Sequence, residues 1–288
     1  MAKKLAILGP KGTHSEAAAL YFNNVTGGIY IPVLYDEIFE ALTATEIGET
    51  DAAFVPVENS LEGAINVTLD FLAATDKLTV ARELVWTVRN VLAAKCAAKG
   101  IAHVYSHAQP ISQCRHFLHE NFPNAEIVKV ASTAKAASIV ADTDAARDSA
   151  ALCTKRAAEL RNLSVIAENI EDIAANCTRF FLLTKKDAPP PIFPADDDTD
   201  ERTLVICRID GREAGSLLRV LEEFAVRGVN LTRIESRPAR TKLGEYIFFF
   251  DVESNTPPAQ RNEALAAVNA RSLWLKNLGT FRVMTDDR

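Results

Sequence analysis

A short acidic, proline-rich segment divides this chain of 288 residues into two unequal parts. Residues 187–201 contain four of the 12 prolines, together with six acidic residues and no basic residue. Proline removes backbone hydrogen-bond donors and neighbouring carboxylates repel one another, so such a segment stays extended and exposed. The length is also about twice that of a usual domain. We therefore predict two domains, residues 1–186 and 202–288, joined by an exposed linker.

The net charge of the chain comes from this linker. The chain has 38 acidic residues against 32 Lys and Arg, and taking away the six linker acids leaves equal numbers of each. A nucleic-acid-binding protein normally shows a basic patch, which a body of balanced charge does not indicate. No apolar run reaches the roughly 18 residues of a membrane span, and the first residues do not form a secretory signal. We expect a cytoplasmic protein that binds neither nucleic acid nor membrane.

The five cysteines argue in the same direction. They form no Cys-x-x-Cys pair and their number is odd, which speaks against a disulfide framework and against a zinc site. Buried apolar positions in a reducing compartment are the expected use of such cysteines. We expect no metal site.

The two parts of the chain have different patterns. In residues 1–186 apolar strands alternate with helices, which is typical of an α/β domain with a parallel sheet. The remainder reads as strand, helix, strand, strand, helix, strand, the order of a ferredoxin-like α+β sandwich. In α/β sheets ligands bind at the carboxyl ends of strands. The pattern also predicts helices over 64–74 and 112–121, and one apolar stretch over 84–93.

Four polar clusters lie at junctions between strands and helices or at a strand start. The first, Gly9-Pro-Lys-Gly-Thr-His-Ser15, is neither a phosphate P-loop nor a dinucleotide fingerprint, but its glycines let backbone amides face an anion. The other three comprise Glu58, Asn59 and Ser60; Ser106, His107 and Gln109; and Asn176, Thr178, Arg179 and Phe180.

Ordinary local structure accounts for each cluster equally well. The second can cap the next helix, and a lone histidine such as His107 is more often a structural group than a catalytic acid. Alternation along a strand turns Arg179 away from Thr178 and leaves Phe180 on the side of Thr178. The residues alone therefore indicate a two-lobed or doubly wound domain that binds a small anion, without naming the anion.

The clusters in this order resemble the prephenate dehydratase family. The matching motifs are Gly9-Pro-x-Gly-Thr-x-Ser-Glu16, Pro56-Val-Glu-Asn-Ser60, Ser106-His-x-Gln109 and Thr178-Arg-Phe180. The second part resembles an ACT regulatory domain through Gly215-Ser-Leu-Leu218 and Asn230-Leu-x-x-Ile-Glu-Ser-Arg-Pro238. The resemblance covers nearly the whole chain. It implies two periplasmic-binding-protein-like lobes with a cleft, followed by a ferredoxin-like (βαββαβ) ACT domain.

The resemblance implies conversion of prephenate to phenylpyruvate, water and carbon dioxide in L-phenylalanine biosynthesis, without a cofactor. It makes Thr178 the catalytic donor to the departing hydroxyl, with a relay through His107 or water as a hypothesis. The implied substrate-binding residues are Thr13, Glu58, Asn59, Ser60, Ser106, His107, Gln109, Asn176, Arg179 and Phe180. L-Phenylalanine is the implied feedback effector, and the residues implied for it are Gly215, Ser216, Leu217, Leu218, Asn230, Leu231, Glu235, Ser236, Arg237 and Pro238.

Several alternatives stay open. Arogenate dehydratase would use the same elimination, and a non-catalytic cytosolic ligand sensor would use the same cleft. Arg179 can pair with a substrate carboxylate or hold the domain together. Three positions depart from the family pattern: His14 where an aromatic residue is usual, Ala214 where proline is common and Ser216 where alanine is usual. We also expect a monofunctional enzyme, assembled as a homodimer or homotetramer through side-by-side ACT domains.

Overall fold

The computed structural model describes residues 2–142, 144, 147–173, 175–193, 200–242, 244–253 and 256–286. The chain begins with the first of two lobes. This lobe contains β1 (Lys3–Leu8), α1 (His14–Val25), β2 (Tyr30–Tyr35), α2 (Ile38–Ile47), β3 (Ala52–Asn59), β4 (Gly63–Ala64), α3 (Asn66–Ala74) and β5 (Leu78–Thr87). Strands β1, β2 and β3 are parallel neighbours, as the alternation of strands and helices predicts.

The second lobe is built on its own five-stranded sheet. It contains β6 (Val91–Ala94), β7 (His103–Ser106), α4 (Ala108–Gln113), α5 (Arg115–Asn121), β8 (Glu126–Lys129), α6 (Thr133–Ala141), β9 (Ser149–Cys153), α7 (Lys155–Leu160) and β10 (Ser164–Glu168). The strand order is β10-β6-β9-β7-β8. The chain then returns to the first lobe as β11 (Cys177–Lys185), which lies between β3 and β5. The chain therefore passes from the sheet of the first lobe to that of the second and back again, which confirms the two-lobed fold predicted from the sequence.

The C-terminal part has the ferredoxin-like order expected for it. Its elements are β12 (Glu201–Arg208), α8 (Ser216–Ala225), β13 (Leu231–Pro238), β14 (Tyr246–Glu253), α9 (Pro258–Arg271) and β15 (Trp274–Thr285). The strand order is β13-β14-β12-β15, so β13 is an edge strand. Helices α8 and α9 cover one face through a core that includes Val220, Phe224 and Phe250. The longest described helix, α9, has 14 residues, and no described helix is long and apolar enough to cross a membrane.

The sheets of the first lobe and of the C-terminal part are continuous, which the linker did not predict. Strand β15 pairs in parallel with β5, with Val283–Thr285 opposite Glu83–Val85. Just beyond β15, Oδ1 of Asp286 accepts hydrogen bonds from the backbone N (2.8 Å) and the hydroxyl (2.7 Å) of Thr87. The two parts therefore share one sheet in which the last strand of the second part completes the edge of the first.

A second contact joins these two parts face to face. Helix α3 contributes Leu69 and Leu72 to a core that also contains Ile206 and Phe249 of the C-terminal sheet. This helix is thus packed between the sheet of the first lobe and the face of the C-terminal sheet opposite α8 and α9. Residues 194–199 of the linker lie outside the described residues, and Phe193 before them packs edge-on against Phe22 at 6.0 Å.

Four elements differ from the sequence expectations. The apolar stretch over 84–93 belongs to two strands, β5 and β6, in different sheets. The helix expected over 64–74 begins at Asn66 because Gly63 and Ala64 pair with β3. The helix expected over 112–121 is two short helices that meet at Cys114. The sheet of the first lobe is mixed, because β11 runs antiparallel to both of its neighbours.

Candidate active site

Two of the sequence-predicted residues, Asn59 and Thr178, face each other on neighbouring strands. Asn59 ends β3 and Thr178 is the second residue of β11, and the two are paired in the antiparallel register. Nδ2 of Asn59 donates to Oγ1 of Thr178 at 3.0 Å, and also to Oδ1 of Asn176 at 2.9 Å and to the carbonyl of Cys177 at 3.1 Å. The second and fourth polar clusters therefore come together, although about 120 residues separate them.

The orientation of the Asn59 amide is fixed by the loop that follows β3. Its Oδ1 accepts hydrogen bonds from the backbone N of Leu61 at 3.0 Å and of Glu62 at 3.1 Å. An oxygen must stand where two N–H groups point, so the NH₂ group must point to Thr178. The Thr178 hydroxyl thus accepts a hydrogen bond from Asn59, and its own proton has no acceptor within the described part of the chain. That proton is available to a ligand.

Ser60 and Asn176 hold the same corner together. The Ser60 hydroxyl donates to the carbonyl of Ala175 at 3.1 Å and accepts from the backbone N of Cys177 at 2.9 Å. Asn176 is buried, and among the described residues its Nδ2 has no hydrogen-bond partner. A buried amide donor without a partner is unfavourable by roughly 1–3 kcal/mol, which makes this nitrogen a candidate for binding a ligand oxygen.

A cavity of about 550 Å³ opens beside this corner and joins the two lobes. Leu61 and Glu62, the residues bonded to the Asn59 amide, form one wall. The other residues that line it are Gln109, Ser112, Gln113, His116, Asp172 and Ile173. Gln109 of the third polar cluster therefore lies across the cleft from the loop that holds Asn59.

A larger cavity of about 800 Å³ lies on the other flank of the cleft, between α1 and α7. Trp86, which pairs with Thr178 across β5 and β11, is part of its wall. Three cationic side chains, those of Arg89, Lys155 and Arg156, line it together with two acidic ones. Each of these cations is paired with a carboxylate: Lys155 with Glu168 at 3.0 Å, Arg156 with Glu159 at 3.9 Å and Arg89 with Glu171 at 4.0 Å.

His14, one of the departures from the family pattern, lies in this second cavity. Its Nε2 is 3.3 Å from Oδ1 of Asn90, and the Nδ2 of Asn90 is buried without a partner among the described residues. Burial lowers the pKa of His14, and the hydrogen bond to Asn90 opposes that effect only in part. His14 is therefore a neutral group at pH 7.

The glycine turn of the first cluster closes the lobes against each other. Gly12 has φ +88°, and a side chain there would stand 3.1 Å from Cβ of Ala157 in the second lobe. Thr154, the N-cap of α7, donates to the carbonyl of Gly12 at 2.7 Å. Glycine is needed here both for its conformation and for the close approach of α7.

Three other predicted residues make contacts within their own segments or with a neighbouring strand. The Thr13 hydroxyl caps α1 by accepting from Glu16 N at 3.3 Å and donates to Pro10 O at 3.0 Å. Ser106 is buried and donates to the carbonyl of Leu152 at 2.6 Å. His107 is exposed at the start of α4, where its Nδ1 lies 3.5 Å from the backbone N of Gln109.

Glu58, Arg179 and Phe180 do not join the corner formed by Asn59 and Thr178. Strand alternation turns Arg179 to the opposite face of the sheet, where it pairs with Glu58 at 2.8 Å. Of the two alternatives for Arg179, the geometry favours the one that holds the protein together. Phe180 is on the face of Thr178, but it is fully buried and stacks on Phe54 at 5.1 Å, so it is a core residue.

The predicted effector residues are divided between two faces of the C-terminal sheet. Ser236 pairs with Phe248, on the side of α8 and α9, whereas Arg237 pairs with Ile247 on the other side. Arg237 binds Asp70 of α3 through two hydrogen bonds of 3.1 and 3.0 Å, and Glu235 shares its face. Glu235 and Arg237 therefore face the first lobe rather than the start of α8.

The remaining predicted effector residues lie on or near the helix side. Gly215 precedes α8 with φ +80°, the hydroxyl of Ser216 donates to Glu213 O at 3.0 Å, and Leu218 is 59% exposed. The others are Leu217 and Leu231, which pack on the core beneath α8, exposed Asn230, and exposed Pro238 at the end of β13. Ile234, which belongs to the motif but was not among the residues implied for the effector, is 48% exposed on the same face as Ser236.

The sequence interpretation missed the charged partners of Arg179. Its guanidinium also binds Glu83 on β5 and Asp251 on β14. Glu83 lies within an apolar strand, and a lone acid at such a position is the signal that could have indicated a buried ion pair. Nothing in the sequence indicates which arginine it pairs with.

Family models match both parts of the chain. The model described as "Prephenate dehydratase" matches residues 5–188, and the one described as "ACT domain" matches residues 203–270. The chain belongs to the prephenate dehydratase family. The enzyme class predicted from the motifs, a hydro-lyase acting on prephenate and carrying a C-terminal ACT domain, is thereby confirmed.

Individual relatives agree over most of their length. The prephenate dehydratase of Mycolicibacterium smegmatis is 37% identical over 287 residues, which is 96% of this chain and 90% of the relative. That of Lactococcus lactis subsp. lactis is 35% identical over 286 residues, 97% of this chain and 98% of the relative. A bifunctional chorismate mutase/prephenate dehydratase of Aquifex aeolicus is 34% identical over 96% of this chain and 73% of its own length.

Solved structures are similar to the whole fold. Prephenate dehydratase from Arthrobacter aurescens, in complex with L-Phe, superposes with a TM-score of 0.82 at 34% identity, covering 96% of this chain and 89% of that one. A structure described as a quorum-quenching acylase has a TM-score of 0.80 at 24% identity, covering 98% of each chain, and shows the fold alone.

Proposed function

We propose that this chain converts prephenate to phenylpyruvate in the cleft between its lobes, with Thr178 as the catalytic residue. The observation that carries the proposal is the hydrogen bond from Asn59 to Oγ1 of Thr178. A hydroxyl that accepts from an amide directs its own proton elsewhere, and here no described group takes that proton. A donor held in this way is suited to stabilise an oxygen that leaves with negative charge.

The reaction needs no oxidant or reductant. The bond between the ring and its carboxylate breaks, the electrons of that bond complete the aromatic ring, and the C–O bond of the hydroxyl breaks. Carbon dioxide leaves, and the hydroxide takes one proton to become water. Thr178 stabilises the leaving oxygen through a hydrogen bond, because an alcohol is too weak an acid to supply the proton itself.

We place the proton supply at His107, acting through water. This side chain is exposed at the start of α4, and Gln109 of the same helix lines the cavity beside the Asn59 corner. Solvent can therefore recharge the histidine. A His107→Asn variant with the turnover and pH profile of the parent would exclude this route.

Orientation of the substrate falls to the neutral donors and to the cations of the cleft. Prephenate carries two carboxylates, and the free Nδ2 of Asn176 and the side chain of Gln109 are donors for its pyruvyl end. Arg89 and Lys155 on the other flank can bind the carboxylates of the substrate by exchanging their present partners, Glu171 and Glu168. Holding the substrate in a reactive geometry supplies a large share of the rate.

We further propose that L-phenylalanine binds beside the start of α8 as a feedback inhibitor. The backbone N–H groups after Gly215 suit a carboxylate, and exposed Leu218 and Ile234 suit a phenyl ring. The L-Phe complex of the Arthrobacter aurescens relative supports L-phenylalanine as the effector. The unpaired outer edge of β13 and these apolar side chains favour a dimer or tetramer in which ACT domains meet side by side.

The deciding experiment measures phenylpyruvate formation by the purified full-length chain from prephenate, and phenylalanine formation from arogenate. We expect turnover of prephenate and its inhibition by L-phenylalanine. A higher kcat/KM for arogenate would make the chain an arogenate dehydratase. Binding of prephenate without product at any pH between about 6 and 9 would favour the non-catalytic sensor. The five free cysteines support a reducing, cytoplasmic location.

A further inference from the structure

A cluster of six charged side chains lies at the boundary between the first lobe and the C-terminal domain. Its members are Glu58, Glu83 and Arg179 of the first lobe and Arg202, Arg233 and Asp251 of the C-terminal domain. Three negative and three positive charges balance within these six, and Glu235 adjoins them because its Oε2 lies 3.5 Å from Nη2 of Arg233. Three of the members, Glu58, Arg179 and Arg233, are neighbours of the proposed catalytic and effector residues but lie on the opposite face of their strands, and the proposed function gives the cluster no role.

Arg179 is the centre of this cluster. Its Nη1 lies 2.6 Å from Oδ2 of Asp251 and 2.8 Å from Oε2 of Glu58. Its Nε and Nη2 bind the two oxygens of Glu83, each at 2.9 Å. The same Oε2 of Glu58 is 3.1 Å from Nε of Arg233. One carboxylate and one guanidinium of the first lobe are thus each shared with a residue of the C-terminal domain.

Burial makes these contacts consequential. The side chains of Glu83 and Asp251 are 0% and 1% exposed, and that of Arg179 is 13% exposed. Burial alone would lower the pKa of Arg179, but Asp251 and Glu83 outweigh it and the pKa is raised. A buried charge that loses its partner is strongly unfavourable, so the members of the cluster must move together.

The proposed catalytic corner is carried by the same two stretches of backbone. Glu58 immediately precedes Asn59 on β3, and Arg179 immediately follows Thr178 on β11. The register places Asn59 opposite Thr178 and Glu58 opposite Arg179. Alternation puts the first pair on the face of the cleft and the second on the face of the C-terminal domain. A shift of the charged pair therefore moves the backbone of the catalytic pair.

The C-terminal residues of the cluster lie on the strands next to the proposed effector site. Arg233 is the neighbour of Ile234 on the edge strand β13, and Asp251 is opposite Arg233 on β14. A ligand or a second subunit that displaces β13 on the helix side changes the contacts of Arg233 on the other side. Ile234 of the proposed effector site and Arg233 of the charged cluster are therefore adjacent residues on opposite faces of β13.

We propose that Asp251 and Arg233 are positioning residues for Asn59 and Thr178, acting through Arg179 and Glu58, and that L-phenylalanine inhibits through them. The inference rests on the proposed function, because it needs L-phenylalanine to bind the C-terminal domain. An effector shifts an equilibrium only by the difference in its affinity for two states. The two states differ in the contacts of the cluster between the domains, because these contacts change when β13 moves. L-Phenylalanine would bind more tightly to one of these two states.

The test uses Asp251→Asn in the full-length chain, with calorimetric binding of L-phenylalanine and kcat/KM measured with and without saturating L-phenylalanine. Asparagine keeps the shape of Asp251 but removes the charge that holds Arg179. We expect L-phenylalanine to bind within about threefold of the parental affinity while the inhibition ratio falls about tenfold or more, within the usual range of allosteric coupling. A merely structural role would lower activity with and without the effector alike and leave the ratio unchanged.

Two further variants make the test specific. Arg233→Gln removes the ion pairs of Arg233 with Glu58 and Glu235 and leaves Arg179 with Asp251 and Glu83. It therefore serves if Asp251→Asn fails to fold, and the same loss of inhibition is expected. Asp70→Asn is the matched control, because it removes another carboxylate that bridges the domains but lies away from Asn59 and Thr178. We expect it to be inhibited like the parent.

The outcomes separate the inference from the function on which it rests. Parental inhibition ratios in both Asp251→Asn and Arg233→Gln would overturn the inference and leave the proposed function intact. Loss of inhibition in Asp70→Asn to the same degree would overturn it too, since any contact between the domains would then suffice. A parent that turns over prephenate but binds no L-phenylalanine would refute the proposed regulation, and the inference with it.

Discussion

Replacing Thr178 by valine removes one hydroxyl and almost nothing else. Valine has the shape of threonine and suits a strand. The Asn59 amide loses one acceptor, but it keeps Oδ1 of Asn176 and the carbonyl of Cys177, and its own oxygen keeps both backbone donors. The folded state thus loses one net hydrogen bond, about 1 kcal/mol. For a chain of this size that lowers Tm by roughly 2–4 °C.

The expected loss of activity is far larger than this loss of stability. A donor that stabilises developing charge in the transition state is worth about 10²–10³ in kcat, or about 2.7–4 kcal/mol. KM should change little, because the hydrogen bond to the leaving oxygen strengthens only as the C–O bond breaks. The assay is phenylpyruvate formation from prephenate, alongside thermal unfolding of the same preparation.

Thr178→Ser is the matched control for this experiment. It keeps the hydroxyl that accepts from Asn59 and should retain kcat within about tenfold of the parent, because only a methyl group is lost. A Thr178→Val enzyme that is folded and turns over within about threefold of the parent would refute the reasoning, since the oriented hydroxyl would then have no part in the elimination.

Three other perturbations test separate features. Burial lowers the pKa of His14 below 6.5, so the unfolded chain takes up the proton before the folded chain as pH falls. Below pH 6.5 the free energy of unfolding of the parent should therefore decline by up to about 1.4 kcal/mol per pH unit more than that of His14→Gln. Chemical denaturation at each pH measures this difference. A fragment ending at residue 193 loses the strand β15 from the edge of β5 and should melt well below the full chain; an equal Tm would contradict the continuous sheet. Ile234→Lys on the free edge of β13 should reduce assembly in light scattering, whereas Ile192→Lys, 89% exposed in the linker, should not.

The sequence predicted what local periodicity controls. Alternating strands and helices indicated an α/β domain that is two-lobed or doubly wound, the resemblance implied the two lobes, and the strand and helix order of the second part indicated the ferredoxin-like sandwich. The turn of Arg179 away from Thr178 followed from strand alternation alone. Asn59 and Thr178 lie in polar clusters at a strand end and a strand start, and the resemblance to the family made them site residues, although the hydrogen bond between them spans 119 positions.

What the sequence could not predict are partners chosen by tertiary packing. The hydrogen bond from Thr87 to Asp286 and the pairing of β5 with β15 join segments about 200 residues apart, and no local pattern specifies which edge a strand will meet. The division of the effector motif was within reach, because alternation along β13 already places Glu235 and Arg237 on one face and Ser236 on the other. Treating the motif as one unit hid that signal.

The shared sheet has a consequence for how the protein is made. Strand β5 is synthesised in the first third of the chain, yet its outer edge stays open until β15 has left the ribosome. Until then the newly made catalytic lobes expose backbone donors and acceptors that any extended peptide can pair with, which is a risk for aggregation. The domain that restrains the finished enzyme is therefore also the one that completes its folding.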